Sequence, residues 1–169
     1  PIPVFETGAI LIYLADKTGR FLPDRDNDPH AYYDVIQWLM FQMGGVGPMF
    51  GQAGHFRNYA LERYSPDEVQ YGIDRYTNEA GRIYGVLDRR LGEAEYLAGD
   101  YSIADMAIFP WYGGMVLGRA YNAAEFLDVG TYKNVIRWAE QIDAREPVKR
   151  GRTVNAAGGP EDEHRHVQR

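Results

Sequence analysis

Ser65-Pro66-Asp67-Glu68, followed by Val69, Ile73, Tyr76, Ala80, Ile83, Leu87 and Leu91, is the stretch that decides the fold. A serine cap, a proline in the first turn and a glutamate three residues after the serine make a capping box. The apolar residues then recur at steps of four, three, four, three, four and four, which is the period of one helix face. The stretch predicts one long amphipathic helix ending near Leu91-Gly92. Asp67, Glu68, Asp74, Arg75, Glu79 and Arg82 fall on its wetter side or flank.

Working outward, Tyr101-Ser102-Ile103-Ala104-Asp105-Met106 repeats the capping logic. Ser102 caps, the Asp105 carboxylate reaches back to the Ser102 N–H, and Tyr101 and Met106 stand at the staple positions. That role accounts for Asp105 as a cap and not as a catalytic acid, with a loss of roughly 0.5–2 kcal/mol expected on its removal. The helix it opens, Ile103 to Trp111, is apolar on nearly all sides and belongs in the centre of a domain. A last helix is predicted over 132–145, with Val135, Trp138, Ala139 and Ile142 on one face. On the other side, Asp28-Pro29 starts a helix carrying Val35, Ile36, Leu39, Met40 and Met43. Gly44-Gly45-Val46-Gly47-Pro48 should kink or end it, and 49–64 reads as irregular.

Val4-Phe5-Glu6-Thr7-Gly8-Ala9-Ile10-Leu11 reads as a strand end, a tight polar turn and a helix running to Lys17, closed by Gly19. A half-strand without a neighbour rarely opens a fold, so an N-terminal segment is expected before Pro1. Residues 20–28 are polar, hold a proline and read as a linker anchored by Phe21 and Leu22. The organisation is a scrap of α/β structure over 1–19, the linker, an all-helical bundle over 29–150 and a polar tail over 151–169.

Composition narrows the function. With 169 residues and 45% apolar content, the chain is globular. A net charge of −6 argues against nucleic acid and against an anionic membrane surface. No apolar run approaches the roughly 20 residues of a membrane span. The chain has no cysteine, which excludes thiolate metal sites and a protein thiol nucleophile in this stretch and is compatible with the cytosol. His164 and His166 supply only two metal ligands and read as solvated, so no metal site is expected. There is neither a glycine-rich phosphate loop nor a Ser/His/Asp set.

Val4-Phe5-Glu6-Thr7-Gly8-Ala9-Ile10 resembles the turn of cytosolic glutathione transferases at which the last strand of a thioredoxin-like domain meets its third helix. Ala98-Gly99-Asp100-Tyr101-Ser102-Ile103-Ala104-Asp105 resembles the capping motif of the same superfamily's helical domain. Trp38 to Gln52 with His55-Phe56, Arg75-Tyr76 with Glu79, Ala123-Ala124-Glu125-Phe126-Leu127 and Lys149-Arg150-Gly151-Arg152 resemble the bacterial nu class, the disulfide-bond oxidoreductases. The resemblance implies a mostly α chain: a C-terminal helical bundle preceded by the last strand and helix of a thioredoxin-like domain. It also implies a cytoplasmic homodimer binding one or two glutathiones, or glutathione disulfide, per site. The implied activity is reduction of small disulfides, with organic hydroperoxides or electrophiles as further substrates. The thiol-orienting loop of the family, Thr-Pro-Asn, would lie upstream of Pro1, so no catalytic residue is assigned within the chain. The alternative is a non-catalytic binding or regulatory module of the same fold.

The resemblance carries four residues to glutathione. Glu6 would bind the ammonium of a γ-glutamyl group, and Thr7 would offer its hydroxyl and N–H to a carboxylate at a helix start. Without the resemblance, the two read as a simple capping pair. The family usually has serine where Thr7 stands; the hydroxyl is kept and a methyl is added. Arg75 would form two parallel hydrogen bonds with a glutathione carboxylate, or else pair with Glu79 four residues on. Gln42, or Met43 if the match slips by one, would lie near a second glutathione; otherwise Gln42 is a polar residue at an interface. His55, beside Phe56 and Tyr59, either lines the pocket or packs in the irregular segment.

Overall fold

Both capping boxes form and set the two central helices. The computed structural model describes residues 2–118 and 126–154. Its α-helices are α1 (Thr7–Thr18), α2 (Pro29–Phe41), α3 (Gly47–Gly54), α4 (Pro66–Glu93), α5 (Ile103–Val116), α6 (Lys133–Asp143) and α7 (Glu146–Thr153). At the start of α4, the Glu68 carboxylate takes both the N–H of Ser65, at 2.9 Å, and its hydroxyl, at 2.8 Å. The stripe then does its work: Val69, Ala80, Ile83, Leu87 and Leu91 are all buried.

Two apolar clusters follow from this pattern. The larger gathers Ile83, Leu87 and Leu91 of α4, Ile108, Phe109 and Tyr112 of α5, and Val135, Trp138 and Ile142 of α6. The smaller joins Ala15 of α1, Val35 and Leu39 of α2, and Ile103, Ala104 and Ala107 of α5. Apolar on nearly every side, α5 serves both clusters. Gly19 ends α1 in the left-handed region at φ 64°, a conformation glycine adopts without strain. The linker is tied to α5 by the Phe21 carbonyl, which accepts from Ile103 N–H at 3.0 Å.

The structure differs from the sequence reading in four places. No strand forms at Val4-Phe5: residues 2–5 are irregular, because a ladder needs a neighbour and the described residues contain only isolated bridges at 96–100. The α-helical part of α2 ends at Phe41, at the edge of the glycine-proline run, but the chain does not leave helical geometry there. A π-helical turn, Gln42–Val46, carries the chain into α3, with the Gly47 N–H donating to the Gln42 carbonyl. A wider turn makes room for the Pro48 ring near the start of the next helix. The irregular stretch is instead helical: α3, a second π-turn at His55–Tyr59 and a 3₁₀ turn at Ala60–Glu62. Finally, α7 runs through Thr153, past the boundary set at Arg150. Ala123, Ala124 and Glu125 of the family motif, and the tail from Asn155 with His164 and His166, lie outside the described residues.

Candidate functional site

Glu6 is the strained residue of the first turn. It holds φ 70° and ψ 122°, a region that non-glycine residues rarely occupy and that costs on the order of 1–3 kcal/mol. Its carbonyl accepts the first bond of α1, from Ile10 N–H at 2.9 Å. No side chain caps this helix, so the simple capping pair is not formed. The early N–H groups of α1 are left for another acceptor, and the Glu6 and Thr7 side chains are exposed. Gly8 is buried, and a methyl there would lie 3.3 Å from Met43. The turn therefore abuts the π-turn that begins at Gln42.

Arg75 stands exposed on α4 in a separate groove of about 720 Å³. Met49 of α3 and Tyr71, Asp74, Tyr76, Asn78, Glu79 and Arg82 of α4 complete its lining. The intrahelical pair with Glu79 is not made. Glu79 instead receives two hydrogen bonds from Arg82, at 2.9 and 2.7 Å. Those bonds hold the Glu79 carboxyl below its ordinary pKa. Asp74 accepts from Gln70 Nε2 at 2.7 Å. Among the described residues Arg75 has no hydrogen bond or ion pair; its guanidinium carbon lies 5.9 Å from the Tyr76 ring centre. Tyr76 is in turn stacked on Phe56 at 5.4 Å.

Gln42 faces inward. It is 6% exposed, its side-chain amide nitrogen lies beside Gly47, where Trp111 also packs, and its side-chain oxygen, Oε1, has no partner. The Tyr84 and Tyr112 hydroxyls are the other unpartnered buried side-chain atoms among the described residues. Phe50 of α3 packs against both rings, at 5.5 and 4.1 Å. Burial, first of all, pushes the Tyr112 hydroxyl well above its ordinary pKa, and the charges of Glu79 and Arg82 also act on it. The sequence offered one clue to Tyr84: it follows Ile83, a single step off the buried stripe. His55 is exposed and edge-on to Phe56 at 5.5 Å, and does not line the Arg75 groove.

Asp105 is structural and more deeply embedded than a cap. Fully buried, it accepts from Leu97 N–H, Ser102 N–H, the Ser102 hydroxyl and Trp138 Nε1 at 2.8–3.2 Å. Burial raises its pKa and the four hydrogen bonds oppose that rise. A second groove, about 690 Å³, lies between the linker, α5 and α7, with Arg145 over the Tyr101 ring at 3.8 Å; none of the four predicted residues lines it. No cluster of three or more His, Cys, Asp or Glu suited to a metal occurs among the described residues. None of their helices is long and apolar enough to cross a membrane.

The candidate residues thus fall in two places: the Glu6–Thr7 turn against the first π-turn, and the Arg75 groove on α4. Between them runs α3 with its flanking π-turns. No family model matches the chain. The disulfide-bond oxidoreductase YghU of Escherichia coli (strain K12) is 48% identical over 167 residues, covering 98% of this chain and 55% of that protein. A glutathione transferase from Pseudomonas putida, solved with one glutathione disulfide per subunit, superposes with a TM-score of 0.83 at 44% identity, over 92% of this chain and 64% of that one. A glutathione transferase from Burkholderia graminis, solved with two glutathione molecules per subunit, gives 0.80 at 42% identity, over 95% and 63%. The chain spans about half the length of the curated relatives it matches. Its helices are those of the C-terminal helical domain of that fold. With identity this high along nearly its whole length, the chain belongs to the glutathione transferase family, and it is similar to the disulfide-bond oxidoreductases YghU and YfcG of Escherichia coli.

Proposed function

We propose that this chain forms the helical part of a glutathione-dependent disulfide reductase. The strained, uncapped turn at Glu6 is the observation that carries it. A carboxylate held in a costly backbone conformation, with no partner, beside free helix N–H groups suits a ligand bearing both an ammonium and a carboxylate. The γ-glutamyl end of glutathione is such a ligand, with Glu6 on its ammonium and Thr7 on its carboxylate. Arg75 takes a further glutathione carboxylate in bidentate fashion. Gln42, buried with its side-chain oxygen unpartnered, begins the π-turn that abuts this turn. Glutathione disulfide bound to one relative supports this reading, as do the two glutathiones bound to another.

The reaction needs no protein thiol. One glutathione thiolate attacks the substrate disulfide, forms a mixed disulfide and releases one substrate thiol. A second thiolate attacks the glutathione sulfur of that mixed disulfide, releasing the other thiol and leaving glutathione disulfide. The two protons given up by the glutathiones end on the two released thiols. We assign the working unit as a cytoplasmic homodimer. The test is steady-state reduction of a small disulfide by the complete protein. Arg75→Ala should raise the apparent glutathione constant about tenfold or more. An unchanged constant would remove Arg75 from the site, and no turnover even by the parent protein would favour a non-catalytic binding module.

A further inference from the structure

Arg75, Glu79 and Arg82 lie along one side of α4, four and three residues apart, and all three line the same groove. Glu79 is within helical reach of both arginines. It is held by Arg82, through two hydrogen bonds of 2.9 and 2.7 Å. The direction of the helix explains the choice, since an acid N-terminal to its cation pairs better than the reverse order. The planar guanidinium adds a second parallel bond.

The other carboxylate of the groove is also engaged. Asp74 accepts from Gln70 and attracts the Arg57 guanidinium, while neighbours one apart on a helix point away from each other. The buried Tyr112 hydroxyl, on which the Glu79 and Arg82 charges act, is pushed well above its ordinary pKa by burial and so adds no negative charge. Arg75 is thereby left with no hydrogen bond or ion pair among the described residues; Glu79 acts on it only through space, the carboxylate's hydrogen bonds going to Arg82.

We infer that Arg82 is a positioning residue for Arg75: by occupying the Glu79 carboxylate it keeps the Arg75 guanidinium open to the carboxylate of an incoming ligand. The inference rests on the ligand role given to Arg75 under the proposed function. Without Arg82, Glu79 turns to Arg75, and a ligand carboxylate must displace it.

The experiment is calorimetric titration of the complete protein with glutathione disulfide. Arg82→Ala should weaken binding about 1.5- to twofold, the size of an intrahelical pair on a helix surface. In a Glu79→Gln background the same Arg82→Ala change should leave binding unaltered, because the competitor is gone. An equal loss in both backgrounds would mean that Arg82 touches the ligand itself and would overturn the inference, as would no loss in either. Arg75→Ala is the separate control. If it leaves binding unchanged while the parent protein binds, the ligand role of Arg75 fails and the inference falls with it; if it weakens binding, the two Arg82 comparisons decide.

Discussion

Two carboxylates, Asp105 and Glu6, each sit at the start of a helix, and they could hardly be placed more differently. Asp105 is fully buried, accepts four hydrogen bonds and joins the start of α5 to Trp138 on α6. Glu6 is exposed, caps nothing and holds φ 70°. A buried, saturated carboxylate has no capacity left for a ligand, so its energy goes into the fold. A strained, unsatisfied one lowers stability and has its full bonding capacity free. Position at a helix N-terminus is common to both; the partners decide what each is for.

The contrast breaks most sharply at Asp105. Asp105→Ala leaves the buried donors of Leu97, Ser102 and Trp138 without an acceptor, and should cost about 3–5 kcal/mol in urea unfolding. That exceeds the roughly 0.5–2 kcal/mol of a lost cap, because the residue also cross-links two helices. A loss within the capping range would show that the Trp138 bond contributes nothing.

Next in size is Gly72→Ala on α4, where a methyl would lie 2.4 Å from the Phe56 ring. Overpacking of that kind should cost about 1–3 kcal/mol. Since Phe56 supports Tyr76 beside Arg75, glutathione binding should weaken with it; unchanged stability would mean that the second π-turn yields freely.

Glu6→Gly should move the other way. Glycine takes positive φ without strain, so the melting temperature should hold or rise, by up to about 1 kcal/mol of added stability, while glutathione binding falls. A clear drop in stability would make Glu6 an ordinary structural residue.

The smallest effect is a pH slope. The folded pKa of Asp105 lies above its ordinary 3.8, burial being the main cause. Between the unfolded and the folded value the folded state binds more protons, so this group's contribution is fully present below the unfolded pKa and is lost as pH rises through the folded one. Unfolding free energy compared for the parent and Asp105→Asn across that window should show a downward slope that the asparagine variant lacks. Equal slopes would assign the carboxylate an unperturbed acidity.

Much of this was legible in local signals. The boxes at Ser65 and Ser102, Gly19 closing α1 and the stripe from Val69 to Leu91 all depend on residues a turn or two apart. The π-turn at Gln42–Val46 was not, because glycine and proline there read only as a kink or an end of the helix. What keeps the helix going is tertiary: Val46 and Phe50 are drawn into the core, and Phe50 packs between Tyr84 and Tyr112. The helix at Glu146–Thr153 was readable in one respect, since Pro147 stands in its first turn, but its polar composition masks any apolar face. At the site, Glu6, Thr7 and Arg75 came from family motifs, not from spacing. The capture of Glu79 by Arg82 could not be read from sequence, since both arginines stand at helical spacing from it and only the fold shows which one it takes.

The central claim is that the Glu6 turn stores strain in order to hold a ligand. The most direct measurement is glutathione disulfide titrated calorimetrically into the complete protein and its Glu6→Gly variant, with thermal unfolding of both followed in parallel. The account predicts a binding loss of about tenfold or more together with stability equal to or above that of the parent. Binding retained in the variant, or binding and stability lost together, would contradict it.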